Sequence, residues 1–272
     1  MDTALWILER IWGSFLFDFT RYLFGAGGVF LLVWVLFKRP LASRKIRKKT
    51  PKVRQMVTEF KMSMLTVLIY SFVGFLTFFG LEAGVMTIYS DHSAYGMPYY
   101  VFSLVFVVVA HDAYFYWTHR LMHLPGAMKY IHAEHHKSLN PTPWTAYRFD
   151  VFEAASHAFF VPLFLFFVPI HHTVIFFFLT HMIIRNAMGH SGYELFPRSW
   201  AVHPILGWIN LVTHHDMHHA NGQYNFGLYF TWWDRLMGTE HPDYIARATG
   251  DPDARRRPLF GGRGRATATL SK

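Results

Sequence analysis

Five stretches of this chain run almost without charge for a dozen residues or more: Tyr22 to Phe37, Met62 to Leu81, Tyr99 to Ala110, Phe152 to Ile170 and Thr173 to Ile184. A hydrocarbon layer about 30 Å thick takes roughly 20 apolar residues of helix, and the first run reaches that length when extended back toward Ser14. Such runs constrain the chain to an all-α, polytopic membrane helix bundle of about four to five spans, because lipid leaves no partner for an unpaired backbone group. The fifth run is short, so a hairpin that only partly crosses is an alternative for the last two. The N-terminus does not read as a cleaved signal peptide, since Asp2, Glu9, Arg10 and Asp18 interrupt its apolar residues.

Charge is as uneven as hydropathy. Nine Lys and Arg lie between Lys38 and Arg54 with no acid among them, and the tail from Asp251 is also basic, so the rest of the chain is net acidic although the total is +9. A basic loop between apolar spans marks the cytoplasmic side beside anionic lipid, not a nucleic-acid surface. Counting crossings from that loop brings every dense histidine group to the same side. Residues 1–104 therefore read as membrane spans with a basic loop, 105–240 as a catalytic unit with a cytoplasmic helical cap, and 241–272 as a basic, disordered tail. From Thr269-Leu270-Ser271-Lys272, which carries no dilysine signal, a bacterial inner membrane is favoured over the endoplasmic reticulum.

Histidine is the anomaly: 18 residues, against 17 Asp and Glu together and no Cys. Without Cys, thiolate zinc sites, iron–sulfur clusters and thiol nucleophiles are excluded. His119 and His123 stand four apart, on one helix face. Asp112, seven residues earlier, returns to nearly that face and is expected to hold a ligand's second ring N–H. His132, His135 and His136 form an HxxHH pattern that recurs as His215, His218 and His219. Each triple can serve one ion or straddle two. His190 follows at the end of the fifth apolar run. Packed neutral imidazoles leave donors and acceptors mismatched and protonated ones repel, so a metal is the economical explanation. His92, His157, His171, His172, His181, His203 and His241 are read as packing residues. Imidazole suits Zn, Cu, Fe or Ni. Nine candidate ligands exceed the need of one four-coordinate zinc and suit two ions of higher coordination, with iron the best reading. A membrane metal transporter or sensor is the competing reading, and it calls for ionisable groups along a mid-span path.

The stretch His111-Asp112-Ala113-Tyr114-Phe115-Tyr116-Trp117-Thr118-His119-Arg120-Leu121-Met122-His123 resembles the first histidine box of the fatty acid hydroxylase/sterol desaturase superfamily of membrane di-iron enzymes. His132-Ala133-Glu134-His135-His136 is similar to the second box and His214-His215-Asp216-Met217-His218-His219 to the third. Asn186 to Glu194, Asn225-Phe226-Gly227 and Trp233 to Thr239 extend the likeness over residues 105 to 240. The resemblance implies that His119, His123, His132, His135, His136, His190, His215, His218 and His219 ligate two iron ions, with no catalytic side chain beyond the ligands. Fatty acid 2-hydroxylase relatives carry a further His where Asn186 stands. Asn186, His111 and His214 are therefore additional or water-mediated ligand candidates, and Asp112, Glu153, Asp216 and Asp234 are candidates to support the ligands. It also implies O₂ as co-substrate, a lipid substrate (sterol-like, fatty acyl or sphingolipid), and a separate electron donor such as a reductase, ferredoxin or cytochrome b5-like protein. Hydroxylation and desaturation share this ligand set. Ether-lipid cleavage and carotenoid hydroxylation are altered chemistries on the same core.

Overall fold

The computed structural model describes residues 3–255; the expected disorder beyond Gly261 and the signal-free C-terminus lie outside them. Three helices among the described residues are long and apolar enough to cross a membrane: α1 (Ala4–Leu36), α2 (Val53–Glu82) and α3 (Gly96–Met122). All three outrun the apolar stretches that announce them. In α1 two charges fall inside the helix, where Asp18 and Arg21 pair one turn apart within the bundle. In α2 the polar first two turns project beyond the apolar part, where Glu59 is fully buried. Its carboxylate accepts from Gln55, Ser138 and Thr142.

After the short helices α4 (Ala127–Ile131) and α5 (Ala133–His136), α6 (Val151–Phe167) and α7 (His172–Gly189) form a hairpin. At 17 residues α6 spans about 26 Å, slightly less than the hydrocarbon layer. The hairpin tip nevertheless reaches the far end of the bundle, because Ile170 and His171 pair in parallel with Ile88 and Tyr89 in the connection between α2 and α3. The bundle is thus three long helices plus a hairpin of matching depth.

Outward faces carry large apolar side chains such as Phe24, Phe72 and Val105, each more than half exposed, as a lipid-facing surface requires. Inside, helix association in lipid relies on close packing and hydrogen bonds more than on the hydrophobic effect. Tyr22 and Ser63 both donate to the carbonyl of Trp144 at 2.9 Å. Helix α1 contains two π-helical segments, Leu23–Gly27 and Leu31–Leu36. In the first, Gly25 lies so close to α7 that a Cβ there would sit 2.7 Å from the Ile183 side chain.

Helix α8 (Val212–Ala220), α9 (Trp232–Met237) and α10 (Tyr244–Thr249) complete the cap. Tyr244, Ile245 and Ala248 are buried against Leu211 and Met217. The expected tail boundary at 241 is therefore displaced: the chain stays folded through α10, because three apolar residues at helical spacing close over α8. The basic loop lies on this same cap. Arg47 Nε donates to Asp216 Oδ1 at 2.7 Å, and the backbone of Arg44 and Ile46 pairs with Glu194 and Gly192.

Candidate metal centre

Nine histidines converge where α3, α5, α7 and α8 meet, and they sort into two groups. His119, His123, His132, His136 and His218 form one; His135, His190, His215 and His219 form the other, with potential ligand atoms in each group all within 4.8 Å of one another. These are the nine expected ligands. Both HxxHH triples straddle the groups. In each triple the i and i+4 members, which share a helix face, stay together, and the i+3 member, about 100° away from i+4, crosses to the other group.

The ring orientations are fixed from behind. His119 Nδ1 donates to the Phe226 carbonyl at 2.8 Å, His218 Nδ1 to Tyr224 at 2.7 Å, His190 Nδ1 to Asn186 at 2.8 Å and His135 Nδ1 to Arg148 at 3.1 Å. His132 Nδ1 lies 2.7 Å from the buried Glu153 Oε1. A carbonyl oxygen only accepts, so Nδ1 of His119, His218, His190 and His135 carries the proton and each of these neutral rings turns a bare Nε2 lone pair inward. Those lone pairs then face one another. His190 and His135, both anchored by carbonyls, bring their Nε2 atoms 3.3 Å apart. Two acceptors at that distance cannot hydrogen-bond, and a cation between them resolves the conflict.

Electrostatics agree. Burial holds His135, His215, His218 and His219 well below the usual imidazole range, with neighbouring histidines adding to the effect. Burial also lowers His136 to about 4, and His190 to about 4 although its bond to the Asn186 carbonyl acts the other way. At neutral pH the rings are uncharged, the form that binds metal. Close packing completes the five-histidine group: a Cβ on Gly222 would come within 2.7 Å of His123 Cε1.

The remaining candidates take other places. His111 is buried, 3.0 Å from the Tyr229 hydroxyl through Nδ1 and packed edge-on against Phe160 and Phe178. His214 turns away from the centre, its Nε2 3.5 Å from Asp234 Oδ2 and its ring against Tyr244. Neither belongs to a ligand group. Asn186 lines a small space beside His215, its amide nitrogen donating to the Ala146 carbonyl at 2.7 Å.

Of the supporting acids, Glu153 alone touches a histidine of the two groups directly. Asp112 does not hold a ligand's ring: it shares the face of His119 but sits about 10 Å lower along the helix. It accepts instead from the Tyr229 backbone N–H at 2.8 Å and the Trp232 indole at 2.6 Å. Asp234 accepts from the N–H groups of Phe226 and Gly227, both at 2.8 Å, and burial pushes it up to about 7 against those bonds. Asp112 and Asp234 thus fix the loop whose Phe226 carbonyl orients His119. Asp216 ties α8 to the basic loop. The carbonyls of Phe226, Tyr224, Asn186 and Arg148 have no signature in side-chain sequence. His157, read as packing, lies 3.7 Å from Glu153 Oε1 and stacks on Phe115.

Between α1, α2, α6 and α7, with His111 of α3, lies an apolar cavity of about 390 Å³. His111 and His157 line it, and Glu153, 3.7 Å from His157, connects it to His132 of the five-histidine group.

Comparison with known proteins agrees with this geometry. The profile of the family described as Fatty acid hydroxylase matches residues 104–239. A Delta(7)-sterol 5(6)-desaturase of Gibberella zeae is 29% identical over 68% of this chain and 56% of its own length. A Delta(7)-sterol 5(6)-desaturase of Aspergillus fumigatus is 30% identical over 69% of this chain and 62% of its own. Cholesterol 25-hydroxylase of Mus musculus is 35% identical over 44% of this chain and 41% of its own. The chain thus spans less than two thirds of these relatives, and no solved structure matches it. The histidine groups and the profile match lead to one assignment: this chain is a member of the fatty acid hydroxylase family, within the fatty acid hydroxylase/sterol desaturase superfamily.

Proposed function

We propose that this protein is an O₂-dependent di-iron oxidoreductase that hydroxylates or desaturates a lipid within the membrane, drawing electrons from a separate donor. The observation that carries this reading is the pair of inward-facing histidine groups set beside an apolar cavity. A cluster of lone pairs fits two adjacent cations, and an apolar chamber fits a hydrocarbon. The sterol desaturases and the cholesterol 25-hydroxylase among its relatives support a lipid as substrate.

His119, His123, His132, His136 and His218 would hold one ion, and His135, His190, His215 and His219 the other. Bound iron supplies reduction of O₂ by four electrons, two from substrate and two from the donor, with removal of hydrogen from an unactivated C–H bond. The chain's own residues do the positioning. Carbonyls of Phe226, Tyr224, Asn186 and Arg148 lock the ring tautomers, and Glu153 makes His132 a stronger ligand. Phe160, Phe178 and Leu179 wall the cavity, exclude water and confine a lipid beside His157. The exposed cations of the basic loop would attract an acidic donor or anionic lipid headgroups next to α8, on the face we assign as cytoplasmic.

A transporter is the weaker alternative, because the histidines cluster at one end of the bundle instead of following a path through it. Lipid extracts from cells with and without the protein, grown under ¹⁸O₂, test the oxidase reading. A lipid gaining one labelled oxygen indicates hydroxylation; one losing two hydrogens indicates desaturation. Identical lipids in both extracts, with metal uptake dependent on the protein, would support the transporter instead.

A further inference from the structure

The cavity wall is mostly apolar, and besides His111 and His157 it carries one charged pair that metal binding leaves unused. Asp18 and Arg21 both line it, in the middle of a helix of membrane-spanning length. Ionisable groups at such a depth are costly and usually tied to function. Arg21 Nη2 pairs with Asp18 Oδ1, and its guanidinium lies over the Phe17 ring. Arg21 Nε and Nη1 are buried without a hydrogen-bond partner. An unmet donor on a buried guanidinium forfeits more than an ordinary hydrogen bond. The first π-helical segment of α1 begins two residues on, at Leu23, and such segments recur at functional sites.

The pair is also linked to the metal ligands by packing. Tyr22, next to Arg21, stacks on Tyr147 with ring centroids 5.3 Å apart, and the cavity-lining Tyr70 meets the same ring at 5.0 Å. Tyr147 precedes Arg148, whose carbonyl orients His135. Asp18 and Arg21 therefore connect to the metal ligands, as His157 does through Glu153.

We propose that the Asp18–Arg21 pair receives the hydroxyl group of a lipid alcohol whose hydrocarbon body fills the cavity. The pair is charge-balanced and, among the described residues, no other Lys or Arg lines the cavity, so a carboxylate or phosphate would meet Asp18 without a spare cation. A hydroxyl matches both partners: it accepts from Arg21 and donates to Asp18. The size lies within the range of about 300–1,000 Å³ usual for small-molecule sites. The inference deepens the oxidase reading by naming the substrate as an alcohol anchored near the centre.

Binding to the metal-loaded full chain in nanodiscs tests it, with two matched probe pairs (cholesterol against cholestane, 1-octadecanol against octadecane) and octadecanoate as the anionic control. At least one alcohol should bind about tenfold or more tightly than its parent hydrocarbon, and 1-octadecanol more tightly than octadecanoate. Removing one member of a buried ion pair strands the other, so the pair is replaced together. Asp18→Leu/Arg21→Met should erase the alcohol preference while metal content stays unchanged. Should that variant lose its metal, Arg21→Lys, which lacks the guanidinium donors, reads the same ratio and should lower it. Equal binding of alcohol and hydrocarbon in both pairs, tighter binding of octadecanoate, no binding of either alcohol, or a preference that survives these replacements would overturn the proposal. A metal-free chain that keeps the preference would leave it standing and remove the oxidase reading. A chain that oxidises lipid with no alcohol preference would do the reverse.

Discussion

The two histidine groups are built from the same parts and held differently. The five-histidine group has a buried carboxylate behind it, Glu153 against His132 Nδ1. In the four-histidine group, His135 and His190 turn Nδ1 to the neutral carbonyls of Arg148 and Asn186. A carboxylate behind a ring nitrogen makes the imidazole a more basic ligand than a carbonyl does. The five-histidine group should therefore bind its ion more tightly, and the four-histidine group should empty first under a chelator. A near-symmetric ligand set thus conceals an electrostatic asymmetry that lies behind the rings.

The severest break of this comparison is His135→Ala. Product formation should fall by at least about a hundredfold, as expected when a ligand of a cooperative metal site is lost, and bound metal should drop from two ions per chain to one. Activity retained within a few-fold, measured by product mass spectrometry, would sink the ligand assignment. Glu153→Gln tests the asymmetry itself. The five-histidine group should weaken about 10- to 100-fold, and the two-step metal release expected on chelator titration should merge toward one.

Asn186→His sharpens the comparison from the other side. It adds an imidazole one helical turn before His190, and metal release from the four-histidine group should slow several-fold. An unchanged rate would mean that position 186 does not face the site. Gly222→Ala should be milder, since the new Cβ presses on one edge of His123. Metal affinity at the five-histidine group should fall while the other group keeps its own.

The smallest effect concerns Glu134, which lies against Arg148 at 2.6 Å and against Lys137. Burial raises its pKa, but these cations more than offset that and leave it below the usual glutamate value. A carboxylate lowered on folding contributes stability that is present above its unfolded pKa and lost as pH falls through the folded one. Glu134→Gln should therefore melt slightly below the wild type at pH 7, with the gap closing below about pH 4.5. A gap that persists in acid would mean that the ion pair contributes nothing.

All nine clustered histidines were legible as candidate ligands because imidazole at i, i+3 and i+4 has few other uses in a membrane protein. Their partition was not, since a triple on one short helix can face one ion or two. Only the packing of α5 against α8, with His136 Nε2 3.1 Å from His218 Nε2, decides it. The role of Asp112 was misread because helical periodicity reports the face and not the height along the axis. The start of α1 at Ala4, ahead of the extension toward Ser14, was hidden by Glu9 and Arg10, which interrupt the apolar residues there. Backbone carbonyls that orient the rings belong to loops, and no residue type announces them.

The central claim is that both histidine groups hold iron. The most direct test is metal analysis of the full chain purified in mild detergent after iron-replete expression, read against a His135→Ala/His215→Ala variant. The account predicts about two iron ions per chain, falling to about one in the variant. Less than one iron per chain, with zinc filling the sites, or an iron content that the variant leaves unchanged, would contradict it.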